Sequence, residues 1–303
     1  MSYLRKYQIL IVNGENKALD VSNLRCTFKI EKMGIQAINF GEISIYNLTG
    51  NTESAIIEEG MRVIVNAGYE DGTYGKIFDG DIFQPLRDRE NVVDYKLTLH
   101  CIDGDSLLNG KIVKFTVNSG INQRGMIDQI VNQAYTPFEV GTITDLDSKV
   151  LPRGKVFFGE PKKYFRLIAQ DNNAQFYVND GQIHISNITD IAAGEAIVYS
   201  PQNGIIGTPT QIDNGASFKV LLDSRIKISN PPMLVKIDNS YIRTQKLTYG
   251  QLPTMLDKDG IYKVSKVVHT GDTRGQDWYT EITGISSPGK IPLMLDTINM
   301  SPN

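Results

Sequence analysis

Cysteine, histidine and tryptophan are scarce in this chain, and neither sign of charge is in clear excess. Its 303 residues include two cysteines, three histidines and one tryptophan, and the formal net charge is −3. A disulfide-rich fold needs more cysteines, so we expect Cys26 and Cys101, which lie in strand-like runs, to be small buried side chains. No cluster of lysine and arginine provides the positive surface that a sequence-specific nucleic-acid binder needs.

Long apolar runs are also missing. The N-terminal run over residues 7–12 ends at Asn13-Gly14 and is too short for the core of a signal peptide. No stretch approaches the roughly 18 apolar residues of a membrane-spanning helix. We therefore expect no membrane span, synthesis in the cytoplasm and no export by the secretory route.

The three histidines do not suggest a catalytic or metal site. His100, His184 and His269 lie in separate strand-like runs, and none has a second ligand at metal spacing. Catalysis needs reactive groups that converge, and the sequence displays none. We predict that the chain is not an enzyme and that it binds no metal and no cofactor.

Two acidic motifs have structural explanations that we favour over functional ones. Asp79 and Asp81 could form a carboxylate pair on one face of a strand, but Gly80 between them favours a bulge or a solvated sheet edge. Asp103-Gly104-Asp105 resembles the start of a calcium loop but lacks the remaining ligands. We expect a turn there, followed by a helix cap at position 105 or 106.

A repeated pattern is the most informative feature that the sequence does contain. Residues 75–102 and 260–282 each form a β-rich run, a polar connection and a second strand. The second strand opens with Asp94-Tyr95 in one copy and with Asp277-Trp278 in the other. In the first copy, the charged residues 87–91 are predicted to form the turn. We interpret the pattern as a duplicated β-module, and the alternative is a chance likeness of two hairpins.

The remaining patterns predict a mainly β protein of the α+β class. Residues 1–103 contain strands with short connections, typical of a sandwich or barrel. Residues 104–195 form a small inserted α/β domain with two amphipathic helices and a hairpin that turns at residues 179–181. Strands return over residues 196–286, and residues 287–303 form an extended C-terminal arm.

The arm and one hairpin tip are candidate contacts with other chains. Three prolines in the arm oppose a regular helix, while its apolar side chains favour cover by a partner. The charged tip near residue 273 could recognise a partner, although such tips are usually only solvated. The candidate subunit or partner contacts are Asp272, Arg274, Ile291, Leu293, Met294, Leu295 and Ile298.

These segments together resemble a known family. The run Gly-Asp-Thr-Arg-Gly followed by Asp-Trp-Tyr-Thr-Glu-Ile, over residues 271–282, is similar to the C-terminal signature of the baseplate hub proteins of Mu-like contractile-tailed bacteriophages. Residues 43–48, 199–211 and 215–222 fit the same family in the right order. The resemblance implies two tail-tube-like β-barrel domains that flank an inserted domain.

The resemblance also implies a structural role and a set of partners. It implies a homotrimer in the baseplate of the virion tail that joins the sixfold tail tube to the threefold central spike and forms part of the channel for DNA ejection. The expected partners are further copies of the chain, the tail tube protein, the central spike protein, and the tape measure or other baseplate proteins. The alternatives are a cell-wall hydrolase at the tail tip and a glycan-binding β-sandwich for host attachment.

Overall fold

The computed structural model describes residues 4–15, 17–33, 39–70, 72–104, 112–134, 139–143, 146, 150–187, 196–212, 215–229, 232–243 and 259–286. We call the described residues up to 104 the N-terminal β-region, those from 112 to 187 the middle region, and those from 196 to 286 the C-terminal β-region. The predicted cap at position 105 or 106 lies outside the described residues.

The N-terminal β-region alternates apolar and polar residues, the pattern of strands with one buried face. Its one described helix, α1, is capped by Thr49, whose side chain accepts a hydrogen bond from the Thr52 amide. The elements are β1 (Arg5–Asn13), β2 (Ala18–Asp20), β3 (Cys26–Met33), β4 (Phe40–Tyr46), α1 (Gly50–Glu59), β5 (Gly60–Tyr69), β6 (Gly75–Arg89) and β7 (Tyr95–Ile102).

The middle region packs two amphipathic helices against short strands, as the sequence predicted. Pro161 lies at the start of the second helix, where its missing amide hydrogen costs nothing. The elements are β8 (Val113–Val117), α2 (Gln123–Ala134), β9 (Glu139–Ile143), β10 (Lys155–Gly159), α3 (Pro161–Asp171), β11 (Ala174–Asn179) and β12 (Gln182–Asn187). The hairpin of β11 and β12 turns at Asp180 and Gly181, which both have positive φ.

The C-terminal β-region returns to strands. Its elements are β13 (Ile197–Tyr199), β14 (Ile205–Ile212), β15 (Gly215–Leu221), β16 (Leu234–Ile237), a short 3₁₀ turn (Asn239–Tyr241), β17 (Ile261–Asp272) and β18 (Trp278–Ser286).

The two β-regions share one sheet, which the sequence did not predict. Thirteen of the described strands belong to it, in the order β14-β15-β18-β17-β3-β4-β7-β6-β5-β1-β2, with β16 bound to β17 and β13 to β16. The two regions meet where β17 pairs with β3 over seven residues, from Lys266 opposite Met33 to Asp272 opposite Thr27.

The strand order of the N-terminal region recurs in the C-terminal region. The path β3-β4-β7-β6-β5 matches β14-β15-β18-β17-β16, and every neighbouring pair in both paths is antiparallel. Both long hairpins carry a register shift at the same place, at Phe83 in β6 and at Ser265 in β17. One end differs, because β1 joins β5 antiparallel while β13 joins β16 parallel. The repeated order supports the predicted duplication, and two closed barrels remain a prediction.

This register corrects two details of the sequence interpretation. Tyr95 and Trp278 are equivalent, as predicted, since they face Arg89 and Gly271 at the same distance from the shift. Of the charged residues 87–91, only Glu90 and Asn91 lie in the predicted turn, because β6 continues as a strand to Arg89. Its charged side chains are accommodated on a solvated edge, where Asp88 forms an ion pair with Lys96 of β7.

Candidate functional site

The joint between the two β-regions is the most elaborate contact in the described part of the chain. Beyond the β17–β3 pairing, the tip that connects β17 to β18 reaches over the N-terminal region. The Arg25 guanidinium lies 2.9 Å from the Asp272 carboxylate, and the Cys26 amide donates to the Thr273 hydroxyl at 2.9 Å. Arg5 donates to the carbonyl oxygen of Gly275 at 2.7 Å. The tip therefore holds the two regions together.

The structure places both tip residues of the sequence prediction at this joint. Burial opposes ionisation of Asp272, but hydrogen bonds from Arg25 and from backbone amides outweigh it, so the pKa of Asp272 is held below its ordinary value. Arg274 is exposed, and its guanidinium donates to the Asn23 carbonyl oxygen at 3.1 Å. Contact of Asp272 or Arg274 with another chain remains a prediction.

Trp278 anchors the C-terminal region in the core of the N-terminal region. It belongs to β18 but packs within the N-terminal core, with its ring centroid 5.5 Å from that of Phe28 and 5.8 Å from that of Tyr7. Its indole N–H donates to the Gly68 carbonyl oxygen at 3.3 Å. The sequence predicted a core position for Trp278 but not that this core belongs to the other region.

Gly271 permits this close packing. A Cβ atom at position 271 would lie 2.2 Å from the ring of Phe28, so no side chain fits there without moving the ring. The glycine thus lets the Phe28 ring of β3 lie directly over β17 beside Trp278. The space taken by the Phe28 ring explains why glycine stands at position 271 of a strand, where it would otherwise be unfavourable.

A second contact joins the middle region to the same joint. The Asp103 carboxylate accepts hydrogen bonds from the amides of Asp180 and Gly181, at 2.7 and 3.2 Å. The Lys32 ammonium lies 2.5 Å from the Asp180 carboxylate, and Lys76 donates to the Asp180 carbonyl oxygen at 2.9 Å. The tip of the β11–β12 hairpin is therefore fixed on the N-terminal β-region by charged groups, and Asn179 also donates to the Ile228 carbonyl oxygen of the C-terminal β-region at 3.2 Å.

The two buried carboxyl groups of this contact, Asp103 and Asp180, have pKa values shifted in opposite directions. Desolvation, together with the nearby Asp180 charge, raises the pKa of Asp103 to about 7. Desolvation also opposes ionisation of Asp180, but Lys32 and, at greater distance, Lys227 outweigh it and hold its pKa below the ordinary value. Lys32 follows Phe28 and Ile30 on the buried face of β3, so a lysine at a core position was the sequence signal for this contact.

A cavity of about 290 Å³, lined mostly by polar residues, lies beside this hairpin tip. One wall is Tyr177 stacked on His184, with ring centroids 4.9 Å apart. The His184 Nδ1 accepts a hydrogen bond from the Thr142 amide at 3.0 Å, and Lys227 lies 3.8 Å from Asp180. These groups are engaged in structural contacts and form no pair of nucleophile and base.

The remaining candidates also have structural roles. His269 is buried, shares a hydrogen bond of 2.9 Å with the Thr280 hydroxyl, and has its pKa lowered to about 3 by burial. Asp79 is buried between Arg62 and Lys76, at 2.5 and 3.0 Å. The sequence favoured a bulge or a solvated sheet edge here over a carboxylate pair, but Asp79 is buried in a regular ladder with β5 and is occupied by these two cations.

Two further features are absent from the described residues. They contain no group of three or more His, Cys, Asp or Glu side chains that could hold a metal ion. No helix among them has the length and apolar character needed to cross a membrane. The predicted arm contacts Ile291, Leu293, Met294, Leu295 and Ile298 lie outside the described residues.

Comparison with known proteins decides the family. The family model described as "Baseplate hub gp41" matches residues 3–238. The chain belongs to this baseplate hub family. The match includes the joint strand β3, the middle region and most of the C-terminal strands. Hub family membership confirms the resemblance that the sequence predicted.

Solved structures of tail proteins share the hub fold over nearly the whole chain. The tail protein from Neisseria meningitidis MC58 has a TM-score of 0.55 at 10% identity, with coverage of 94% of this chain and 97% of that one. The 43 kDa tail protein of prophage MuSo2 from Shewanella oneidensis has a TM-score of 0.52 at 10% identity, with coverage of 93% and 97%. No curated protein sequence matches the hub chain significantly.

Family membership assigns the hub chain a structural role in the phage tail baseplate, and it is not an enzyme. The joint and the hairpin contact agree with this role, because their polar groups hold parts of the fold in place.

Proposed function

We propose that the protein forms a homotrimeric hub that joins the sixfold tail tube to the threefold central spike. The repeated strand order carries this proposal. One chain holds two β-regions with the same order of five strands and the same register shift, joined edge to edge. Three such chains supply six similar regions, so a threefold ring offers a nearly sixfold surface to the tube.

The face of the shared sheet opposite the cores is suited to a channel that carries DNA. On β3, Lys29 and Glu31 point away from the buried side chains, and Glu31 forms an ion pair with Lys266 of β17. Farther along the sheet, Lys219 and Glu281 form another ion pair at 3.1 Å. Paired charges of both signs offer little net attraction to a passing polyanion, so this face would hold DNA weakly.

The proposed partners are the tail tube protein on the sixfold side, the central spike protein on the threefold side, and the tape measure or other baseplate proteins. Residues 287–303 are proposed to lie against a neighbouring hub chain or the spike. The proposed place of the protein is the tail baseplate of the virion, where it forms part of the path for genome ejection.

Light scattering and electron microscopy test the proposal. The purified chain is expected to have three times the 33.8 kDa mass of one chain, and co-expression with the spike protein should add the mass of the bound spike to it. Averaged images should show a ring of six lobes with a central opening, and the ring should co-purify with the tube protein. A chain that stays monomeric with both partners, or a closed particle without an opening, contradicts the proposal.

A further inference from the structure

Strand β6 carries an open edge in its second part. Residues Gly75–Asp81 pair with β5 on one side and, beyond the register shift, Gln84–Arg89 pair with β7 on the other side. Among the described residues, Gln84–Arg89 have no backbone partner on the side away from β7. An open edge of this length is a template for another strand.

The equivalent part of β17 shows what such an edge binds. Counted from the register shift, Asp88 of β6 corresponds to Thr270 of β17. Thr270 faces Lys29 of β3 across the joint. The counterpart of β3 in the C-terminal region is β14, where Thr210 corresponds to Lys29 by its position opposite β15. If β6 paired with β14 in the register that β17 has with β3, Asp88 would lie opposite Thr210.

Apolar side chains are exposed along the same edge. Leu86 is 41% exposed, and Val92 at the hairpin tip is 88% exposed. Tyr95 is 53% exposed, although its equivalent, Trp278, is only 2% exposed because it is buried in the neighbouring region. Across the proposed pairing, Leu86 would face Ile212 of β14. The edge thus has the apolar complement of a joint, but no second β-region covers it in the described part of the chain, where Glu53 of α1 reaches Arg87 at 2.8 Å.

We propose that Gln84–Arg89 of one chain pairs with β14 of a second copy, repeating between chains the β17–β3 joint that exists within each chain. Tyr95 and the hairpin tip then pack on the C-terminal region of that copy, as Trp278 and its tip pack on the N-terminal region. The pairing is head to tail, so three copies form a closed ring when each is rotated by one third of a turn relative to the next. This inference rests on the trimeric hub proposed above and identifies the contact that closes it.

One contact on β14 has to be replaced. The Gln211 amide donates to the Arg243 carbonyl oxygen at 2.9 Å, and the Arg243 amide donates to the Pro209 carbonyl oxygen at 2.7 Å. Arg243 thus covers β14 at the place where β6 of the second copy docks. Pairing exchanges these two hydrogen bonds for those of a strand ladder, so covering the apolar side chains supplies the net attraction.

Disulfide trapping tests the pairing directly. The variant with Asp88→Cys and Thr210→Cys places both thiols on exposed positions predicted to face each other across the contact. The equivalent pair Lys29→Cys with Thr270→Cys is the matched control, since those residues already face each other within one chain. The native thiols do not interfere, because burial raises the pKa of Cys26 to about 12 and that of Cys101 farther still.

The expected result is a covalent trimer from the Asp88/Thr210 variant after mild oxidation and a cross-linked monomer from the control. Each single-cysteine variant should give neither. A trimer by light scattering that yields no covalent trimer overturns the strand pairing and leaves the hub proposal standing. A chain that remains monomeric with its tube and spike partners overturns both.

A charge at the contact provides a second measurement. Leu86→Lys is expected to raise the concentration for half-dissociation of the trimer at least about tenfold, because a lysine would replace a covered leucine. The control is Val156→Lys, at a position 68% exposed in the middle region. Circular dichroism should be unchanged in both variants. Equal dissociation of the two variants contradicts the proposed contact.

Discussion

Trp278 and Tyr95 occupy equivalent positions in the two β-regions, but Trp278 is 2% exposed and Tyr95 is 53% exposed. The two residues therefore form a matched pair for testing the joint. Replacing a buried tryptophan by alanine costs about 3–5 kcal/mol from lost contacts and the cavity left behind. Loss of the hydrogen bond to the Gly68 carbonyl oxygen adds about 1 kcal/mol. We expect Trp278→Ala to lower the free energy of unfolding by about 4–6 kcal/mol.

Tyr95→Ala should cost less than about 1 kcal/mol in the monomer, because the ring is exposed and its main contact is with the Arg89 guanidinium, 4.4 Å from the ring centroid. Urea unfolding followed by circular dichroism measures both variants at a concentration where the chain is monomeric. Trp278 is the only tryptophan, so its fluorescence in the wild type also reports when the joint opens. Similar costs for the two variants would refute the assignment of Trp278 as the anchor of the joint.

Three further predictions concern other parts of the chain. The pKa of His269 in the folded chain lies below the ordinary 6.5, so its contribution to stability is complete above pH 6.5 and is lost as the pH falls. Relative to His269→Gln, the free energy of unfolding of the wild type should fall by about 2 kcal/mol between pH 7 and pH 5, as measured by urea titrations. A difference between the two proteins that stays constant with pH would contradict this. Gly271→Ala should destabilise the chain by about 1–3 kcal/mol, because the added Cβ clashes with the Phe28 ring. Gly72→Ala is the control, since a Cβ there meets no atom within 4 Å and its cost is limited to the strain of the positive φ. Equal melting temperatures for the wild type and Gly271→Ala would contradict the close packing of Phe28 on Gly271. Removal of residues 287–303 should leave circular dichroism unchanged but weaken association in light scattering and co-purification, and unchanged assembly would rule out the proposed role of the arm.

The sequence predicted local features well where a short motif determines them. The Asp-Gly turn at Asp180 and Gly181, the helix that begins at Pro161 and the strand Tyr95–Ile102 were all predicted and are present. These features follow from backbone preferences and from side-chain alternation within a few residues. The family resemblance was also readable, since it depends on the order of segments along the chain.

The joint could not be predicted in the same way. Pairing of β17 with β3 depends on two strand edges that are distant in sequence, and alternation within each strand does not identify the partner. The sequence pattern matches residues 75–102 with residues 260–282 but does not give the register: counted from the shifts at Phe83 and Ser265, Asp79 is equivalent to Ile261. Lys32 on an apolar strand face was the one visible sign of a distant charged partner.

The joint has a consequence for synthesis on the ribosome. The N-terminal core contains Leu222 and Trp278, and the Trp278 indole bonds to a carbonyl oxygen 210 positions earlier in the chain. Arg5 binds a carbonyl oxygen 270 positions later. The first core therefore stays open until nearly the whole chain has emerged, and folding cannot proceed region by region from the N-terminus. A truncated product would lack the strand that covers β3, so incomplete chains should be left to chaperones and proteases rather than built into particles.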